Sequence, residues 1–398
     1  HNPPQDNGYK VFLGDGRQIV SPVDEQISEL IKTVTDVREI VQGSPGTFVS
    51  DDVVETYTSL TSQLIMSGPI TDAQRKSVTS VYTAMHGVGW KTLQSVFSAS
   101  GFNEPNAVLE QRDPDPAFPT VAFPNPEEKG ALDIAIELAK KHLVDVLLAN
   151  DPDADRFAAA VSNSSGDWVT LRGDQIGSLL GWWLIERAKL TGSNLSGTFA
   201  NSIVSSMMLE SIAKSAGLEY ESTLTGFKWV SRVNNLAFGY EEALGYAVDA
   251  ATVNDKDGIS AAITLAQIAT DLAAEGKTIL DLLNEIWARH GFHATEQISI
   301  RLTDLSQVGV IMGSLRINSP KEIAGRAVTS IDDLAKPSDG LPPTDGLRIW
   351  LDGGIRIIIR PSGTEAKMKC YIEAIAKDSA TAQTVLDQLR APLKELLS

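Results

Sequence analysis

Asp151-Pro152-Asp153-Ala154-Asp155-Arg156 places three carboxylates at alternate positions of one short turn. Like charges that close repel, and each raises its neighbours' pKa unless a cation sits among them. Magnesium resolves that conflict, because it is small and hard and takes oxygen ligands in near-octahedral geometry. An EF-hand opens in the same way, but its sixth position should be Gly and is Arg156, and its twelfth should be Glu and is Ser162. Asp151, Asp153 and Asp155 are therefore the expected Mg2+ ligands. The competing reading is a solvated acidic turn.

Other stretches also carry usable chemistry. Arg360-Pro361-Ser362-Gly363-Thr364-Glu365 offers a bidentate guanidinium, two hydroxyls and a turn whose amides could form an anion nest, with Lys367 adding charge. Gly239-Tyr240-Glu241-Glu242-Ala243-Leu244-Gly245 holds two adjacent carboxylates in a glycine-bracketed loop, suited to accepting hydrogen bonds from sugar hydroxyls. Thr225-Gly226-Phe227-Lys228-Trp229 sets a lysine in a turn between aromatics. The opening loop, His1-Asn2-Pro3-Pro4 to Lys10, could bring an imidazole and an ammonium to a reacting centre. His86 lies in a Gly-containing turn within reach of a site, whereas His142, His290 and His293 read as helix-end or core residues.

These stretches need elements to position them. Val144 to Asn150 and Phe157 to Val161 read as buried strands on either side of the acidic turn. Lys10 to Leu13 is expected as a strand, Asp24 to Val41 as a helix capped by Asp24, and Asp51 to Met66 as a second helix. Ser80 to Met85 (strand), Trp90 to Ala99 (helix) and Glu127 to His142 (helix, opened by Asn125-Pro126) alternate as in an α/β layer. Gly197 to Ala200 (strand), Ser205 to Ala216 (helix) and Gly258 to Ala274 (helix) continue that plan. The last hundred residues differ. Strands are expected at Glu296 to Leu302, Arg348 to Leu351, Ile355 to Ile359 and Met368 to Ala374, with a hairpin at Asp352-Gly353-Gly354 and a closing helix from Ala380 to Leu397.

The chain has 398 residues, 42% of them hydrophobic and 21% charged, enough for about three ordinary domains. No apolar run reaches the ~18 residues of a membrane span, and Ile176 to Leu184 reads as a core helix. A net charge of −17 argues against nucleic acid and anionic membrane as partners. The single cysteine, Cys370, excludes an internal disulfide and fits a reducing, cytoplasmic setting.

Taken together, the motifs resemble those of the α-D-phosphohexomutases, the phosphoglucomutases and phosphomannomutases. That family's metal loop is matched by Asp151, Asp153, Asp155 and Arg156, its sugar loop by Gly239 to Gly245, and its phosphate loop by Arg360 to Lys367. Its serine loop reads Thr/Ala-Ser-His-Asn-Pro, and this chain begins at the His. The resemblance implies a multi-domain α/β protein: mixed-sheet α/β domains repeated, then a C-terminal α+β domain like the TATA-box-binding protein. The implied divisions are 1–79 (the end of domain 1), 80–194 (metal loop), 195–293 (sugar loop) and 294–398 (phosphate loop). The Gly-Tyr-Glu-Glu-Ala-Leu-Gly form, with Thr225 to Trp229 and Asn254 to Gly258, looks most like the long phosphoglucomutase branch.

The resemblance also implies an isomerase acting on sugar phosphates, as monomer or homodimer. A phosphoserine would give its phosphoryl group to a hexose phosphate, and the bisphosphorylated sugar would return the other phosphate. Mg2+ on the three aspartates would polarise the serine phosphate. His1 and Lys10 would assist proton transfer, with Arg156 and Lys228 stabilising charge. Asn2, Glu241 and Glu242 would contact substrate, and Arg360, Ser362, Gly363, Thr364 and Lys367 would hold the phosphate that does not react. The serine and roughly 100 to 150 residues of a first domain are expected ahead of His1. Without them the chain should lack turnover and leave Val11, Phe12, Ile27 and Ile31 uncovered. Glucose phosphates are the favoured substrate, with mannose phosphates possible. A phosphopentomutase, a phosphate-releasing hydrolase and a non-catalytic sugar-phosphate binder are the alternatives.

Overall fold

The computed structural model describes every residue except Asn7, Ser67, Gly363, Thr364, Glu365 and Ser398. The chain forms two compact units. The first comprises His1–Ala200 and Gly226–Leu280, the second Asn201–Thr225 and Asp281–Ser398.

The first unit is built on a five-stranded mixed sheet. In spatial order its strands are Asn106–Ala107, Ser80–Thr83, Val146–Asn150, Phe157–Ser162 and Trp168–Thr170. The first three are parallel and the last two antiparallel. All five residues of Val146–Asn150 are buried, which is why they read as one apolar run without alternation. Helices Gly89–Ala99, Asp133–His142, Gly173–Thr191 and Gly258–Ala274 supply much of the rest of the core, with Leu93, Ala135, Leu179 and Ile263 fully buried. The acidic turn follows Asn150, at the carboxyl end of a parallel strand, where open α/β sheets hold their ligands. Leu236–Glu241 and Gly245–Ala247 form a hairpin in the same unit.

Several expected elements differ. Lys10 to Leu13 forms only an isolated bridge, Phe12 to Gln18. The helix expected over Asp24 to Val41 spans Val23–Lys32, with Pro22 at its cap and Asp24 in its first turn. It stops before the β-branched run Thr33-Val34-Thr35; Asp36 then accepts the Arg38 amide and starts a separate 3-10 turn, Val37–Glu39. The helix expected from Glu127 begins only at Asp133, because Gly130 sits at φ +86° and keeps the preceding residues in turns. Of the four residues expected to lack cover, Phe12 and Ile31 are exposed, and Val11 and Ile27 are half-buried.

The second unit carries a six-stranded antiparallel sheet in the order Phe292–Arg301, Lys367–Ala376, Ile355–Pro361, Leu347–Leu351, Arg326–Asp333, Glu322–Ile323. Helices Leu305–Ile317 and Ser379–Leu396 pack against it, over a core that includes Ile298, Ile349, Ile357, Cys370, Leu386 and Leu389. Gly353 and Gly354 have φ of +80° and +75°, the two left-handed positions that the tight hairpin requires. Among the described residues no helix is long and apolar enough to cross a membrane.

Candidate active site

The acidic turn is fixed from several sides. Ala154 takes a left-handed conformation, φ +59°, and returns its amide to the Asp151 carbonyl at 2.9 Å. The Pro152 carbonyl accepts from Val88 at 2.8 Å, and the Ala154 carbonyl from Gly258 at 3.1 Å. A Cβ at Gly87 would come within 2.1 Å of that Pro152 carbonyl oxygen, so only glycine allows this approach. Beneath the turn, Tyr82 donates to Asn150 Oδ1 at 2.9 Å, and Asn150 Nδ2 donates to the Arg156 carbonyl at 2.6 Å.

Within this frame the three carboxylates are treated differently. Asp151 is fully buried; its Oδ1 accepts the Arg156 amide at 2.9 Å, but its Oδ2 has no hydrogen-bond partner. The nearest cationic nitrogens to that oxygen are His1 Nδ1 at 3.5 Å and Arg156 Nε at 3.8 Å. Burial, and then the charges of Asp155 and Asp153, push the Asp151 carboxyl up to about 7. Asp153 goes the other way: its burial is outweighed by the Lys10 ammonium and it titrates below the usual carboxylate range. His1 Nδ1 lies 2.6 Å from Asp153 Oδ1, and Lys10 Nζ lies 2.9 Å from Asp153 Oδ2. Asp155 Oδ2 is held by Lys10 at 2.5 Å and by Lys256 at 2.6 Å. Burial alone would lower the Lys10 pKa, yet its bonds to Asp155 and Asp153 hold it above the ordinary lysine value.

A buried carboxylate oxygen without a donor calls for a cation. One ligand atom each from His1, Asp151 and Asp153 lies within 4.8 Å of the others, a group able to hold a metal ion. The residues therefore fit a divalent cation. Asp155 stands outside that group, with its carboxylate occupied by two ammonium groups.

The glycine-bracketed loop from Gly239 to Gly245 forms the turn of a hairpin. Glu241 ends one strand, Gly245 starts the next, and Gly245 bridges Arg156 while the Leu244 carbonyl accepts from Phe157 at 3.0 Å. The hairpin is thus bonded directly to the chain leaving the acidic turn. Glu241 is partly buried and accepts the Gly226 amide at 2.6 Å. Burial, then the charge of Glu242, push its carboxyl up to about 7. Lys228 and Trp229 lie half-buried on the short helix Phe227–Val230, with Lys228 Nζ 6.0 Å from the Trp229 ring centroid. Asn2 is exposed and packs against Gly8.

In the second unit Arg360 donates to the Thr225 hydroxyl at 2.5 Å. The Ser362 amide is spent on the Lys367 carbonyl at 2.8 Å, so it does not contribute to an anion nest. Gly363 and Thr364 lie outside the described residues.

The structure thus brings His1, Lys10, Asp151, Asp153, Asp155 and Arg156 together, with Glu241 on the adjoining hairpin. His86 does not join them: it is buried, with Nε2 taken by Thr120 at 2.7 Å. Lys256 was missed from sequence. Its signal was the charged Asp255-Lys256-Asp257 run directly ahead of a helix, which reads as an ordinary polar cap until Asp155 is seen beside it.

Known proteins share this arrangement of domains. Residues 1–38, 56–166 and 172–290 match, in order, the phosphoglucomutase/phosphomannomutase alpha/beta/alpha domains I, II and III, and 315–391 match the C-terminal domain. A "Probable phosphomannomutase" of Haemophilus influenzae is 44% identical over 402 residues, which cover 100% of this chain and 80% of the relative. A phosphopentomutase of Mus musculus is 35% identical, over 99% of this chain and 70% of its own. In structure, a phosphoglucomutase/phosphomannomutase family protein from Burkholderia thailandensis is similar with a TM-score of 0.67 at 19% identity, over 94% of this chain and 70% of that one. At that identity it shows a shared fold.

Proposed function

This chain belongs to the phosphoglucomutase/phosphomannomutase family, and we propose that it interconverts the 1- and 6-phosphates of a hexose, glucose phosphates first and mannose phosphates next. The observation that carries this reading is the buried, unpartnered Asp151 Oδ2 beside His1 and Asp153, on a turn bonded to the Glu241 hairpin. A cation position and a hydroxyl-binding carboxylate then lie on one continuous piece of structure.

Asp151 and Asp153 would hold Mg2+, with Asp155 available once its lysines move. Bound there, the ion would supply positive charge to the oxygens of a transferring phosphoryl group. The chain's own residues do the rest. Phosphoryl transfer between two hydroxyls needs one oxygen to lose a proton and the other to gain one. Lys10 carries a proton held firmly by Asp153 and Asp155. His1, fixed through Nδ1, has a second ring nitrogen with no partner among the described residues, which can accept or return a proton. Arg156 and Lys228 add fixed positive charge. Glu241 would accept hydrogen bonds from sugar hydroxyls, with Glu242 and Asn2 as further contacts. In the second unit Arg360, Ser362 and Lys367, together with Gly363 and Thr364, would grip the non-reacting phosphate. The phosphoryl donor is the phosphoserine that the family resemblance implies.

A pentose phosphate is the second reading, favoured by the 35% identity to a phosphopentomutase. Comparing kcat/KM of the natural enzyme for glucose, mannose and pentose 1-phosphates separates them. A clear preference for pentose would overturn the hexose assignment and leave the mutase reading intact. Release of free phosphate would overturn both.

A further inference from the structure

Lys256 reaches Asp155 because the chain just after it is anchored. The Asp257 amide donates to the Tyr246 carbonyl at 2.8 Å, and the Gly258 amide to the Ala154 carbonyl at 3.1 Å. The Asp257 carboxylate caps helix Gly258–Ala274, Oδ1 accepting from Ile259 at 3.0 Å and Ser260 at 3.3 Å. Those two cap bonds engage Oδ1 alone and leave Oδ2 free of the helix's own amides. Oδ2 is held from outside. Tyr57, on helix Asp52–Met66, points its hydroxyl at both Asp257 oxygens, at 2.9 and 2.8 Å. Nothing in the family motifs of the sequence includes Tyr57.

We propose that Tyr57 is a positioning residue for the reaction, holding Asp257 so that the adjoining Lys256 ammonium stays on Asp155 of the acidic turn. The inference rests on the mutase reading for its kinetic consequence, but its geometric content does not. Tyr57 touches no group expected to bind substrate, so it should act on turnover more than on affinity. A Cβ at Gly245 would come within 3.0 Å of Lys256 Cδ. The lysine stem therefore runs close along the hairpin at Gly245.

Tyr57→Phe keeps the ring and removes the hydroxyl. Amide exchange at Asp257 and Gly258 should accelerate about tenfold, while Ala266 and Gln267, further along the same helix, keep their wild-type protection. In the natural enzyme kcat should fall about tenfold with KM within about twofold, since each tenfold step is about 1.4 kcal/mol of transition-state free energy. In a Lys256→Ala background the same substitution should change kcat no further, because a residue acting through Lys256 has nothing left to position. Unchanged exchange at Asp257 and Gly258 would overturn the inference whatever the turnover. So would an equal loss of kcat with and without Lys256. A wild-type enzyme that turns over no sugar phosphate would instead sink the mutase reading, with the exchange result still deciding the role of Tyr57.

Discussion

Lys10 and Lys256 share one oxygen: both ammonium groups reach Asp155 Oδ2, at 2.5 and 2.6 Å, from segments almost 250 residues apart in the chain. One carboxylate thus gathers two cations beside a second carboxylate, Asp151, that has none within bonding distance on Oδ2. Asp155→Asn should separate these roles. It leaves Lys10 with Asp153 alone and Lys256 with only the more distant Asp255, and should cost about 1–2 kcal/mol, below the fully buried case because the pair retains some solvent. Urea unfolding monitored by tryptophan fluorescence would measure it, and an unchanged midpoint would show that the shared oxygen adds nothing.

Asp151 contributes to the pH behaviour of the metal-free protein. Its carboxyl titrates near 7 in the folded chain and near 4 when unfolded, so the folded state holds the extra proton between those values. Stability contributed by that proton is present at low pH and is lost as pH rises through about 7. Asp151→Asn keeps the neutral shape, so at about pH 8 the metal-free variant should exceed wild type by about 3 kcal/mol. Millimolar magnesium should raise the wild-type Tm and leave that of the variant unmoved. The same Tm gain in both would place the ion elsewhere.

Glu241 predicts a pH-dependent affinity. Its carboxyl titrates near 7, and only the ionised form accepts hydrogen bonds at both oxygens. Hexose phosphate should therefore bind more tightly as pH rises through 7, and Glu241→Gln should bind about tenfold more weakly and lose that part of the pH dependence. Titration calorimetry of both proteins at several pH values reads this directly. A slope retained in the variant would assign it to other groups.

Arg360 should matter for binding far more than for folding. Its one side-chain partner among the described residues is the Thr225 hydroxyl, so Arg360→Ala should leave the melting transition nearly unchanged. Loss of a charge-assisted bond to phosphate should weaken affinity roughly ten- to hundredfold. A collapsed melting temperature would mark the arginine as structural.

Glu373 is the opposite case, a buried charge with no place in the chemistry. It accepts from Ser206 at 2.6 Å, the Met207 amide at 2.9 Å, Arg356 at 2.7 Å and His293 at 2.8 Å. Although burial would raise its pKa, the Arg356 charge and the His293 bond hold it below the usual value. Its stabilisation is therefore present above about pH 4 and lost as pH falls below it. Glu373→Gln should cost about 3 kcal/mol by leaving Arg356 uncompensated, without changing magnesium affinity.

The parts of the fold that were legible in the sequence are those set by local pattern. Gly258–Ala274 begins at the expected residue because Asp257 is a capping residue followed by an unbroken apolar face. The Asp352-Gly353-Gly354 hairpin follows from two residues that tolerate positive φ. Lys10 to Leu13 misled, because its pairing with the returning chain ends after the Phe12–Gln18 bridge and two backbone bonds, Ile19 to Val11 and Leu13 to Arg17. In the site, the carboxylate spacing announced a cation, but spacing cannot show that Asp151 is sealed from solvent while Asp155 is claimed by two lysines. Lys256 and Tyr57 depend on contacts 101 and 200 residues away in the chain. No local pattern encodes those.

Phosphorus NMR of the natural enzyme with glucose 1-phosphate and magnesium tests the central claim most directly. The account predicts that the 1-phosphate resonance is replaced by that of glucose 6-phosphate, with no free phosphate, and that Asp151→Asn abolishes the exchange. Appearance of inorganic phosphate, or conversion undiminished in Asp151→Asn, would contradict it.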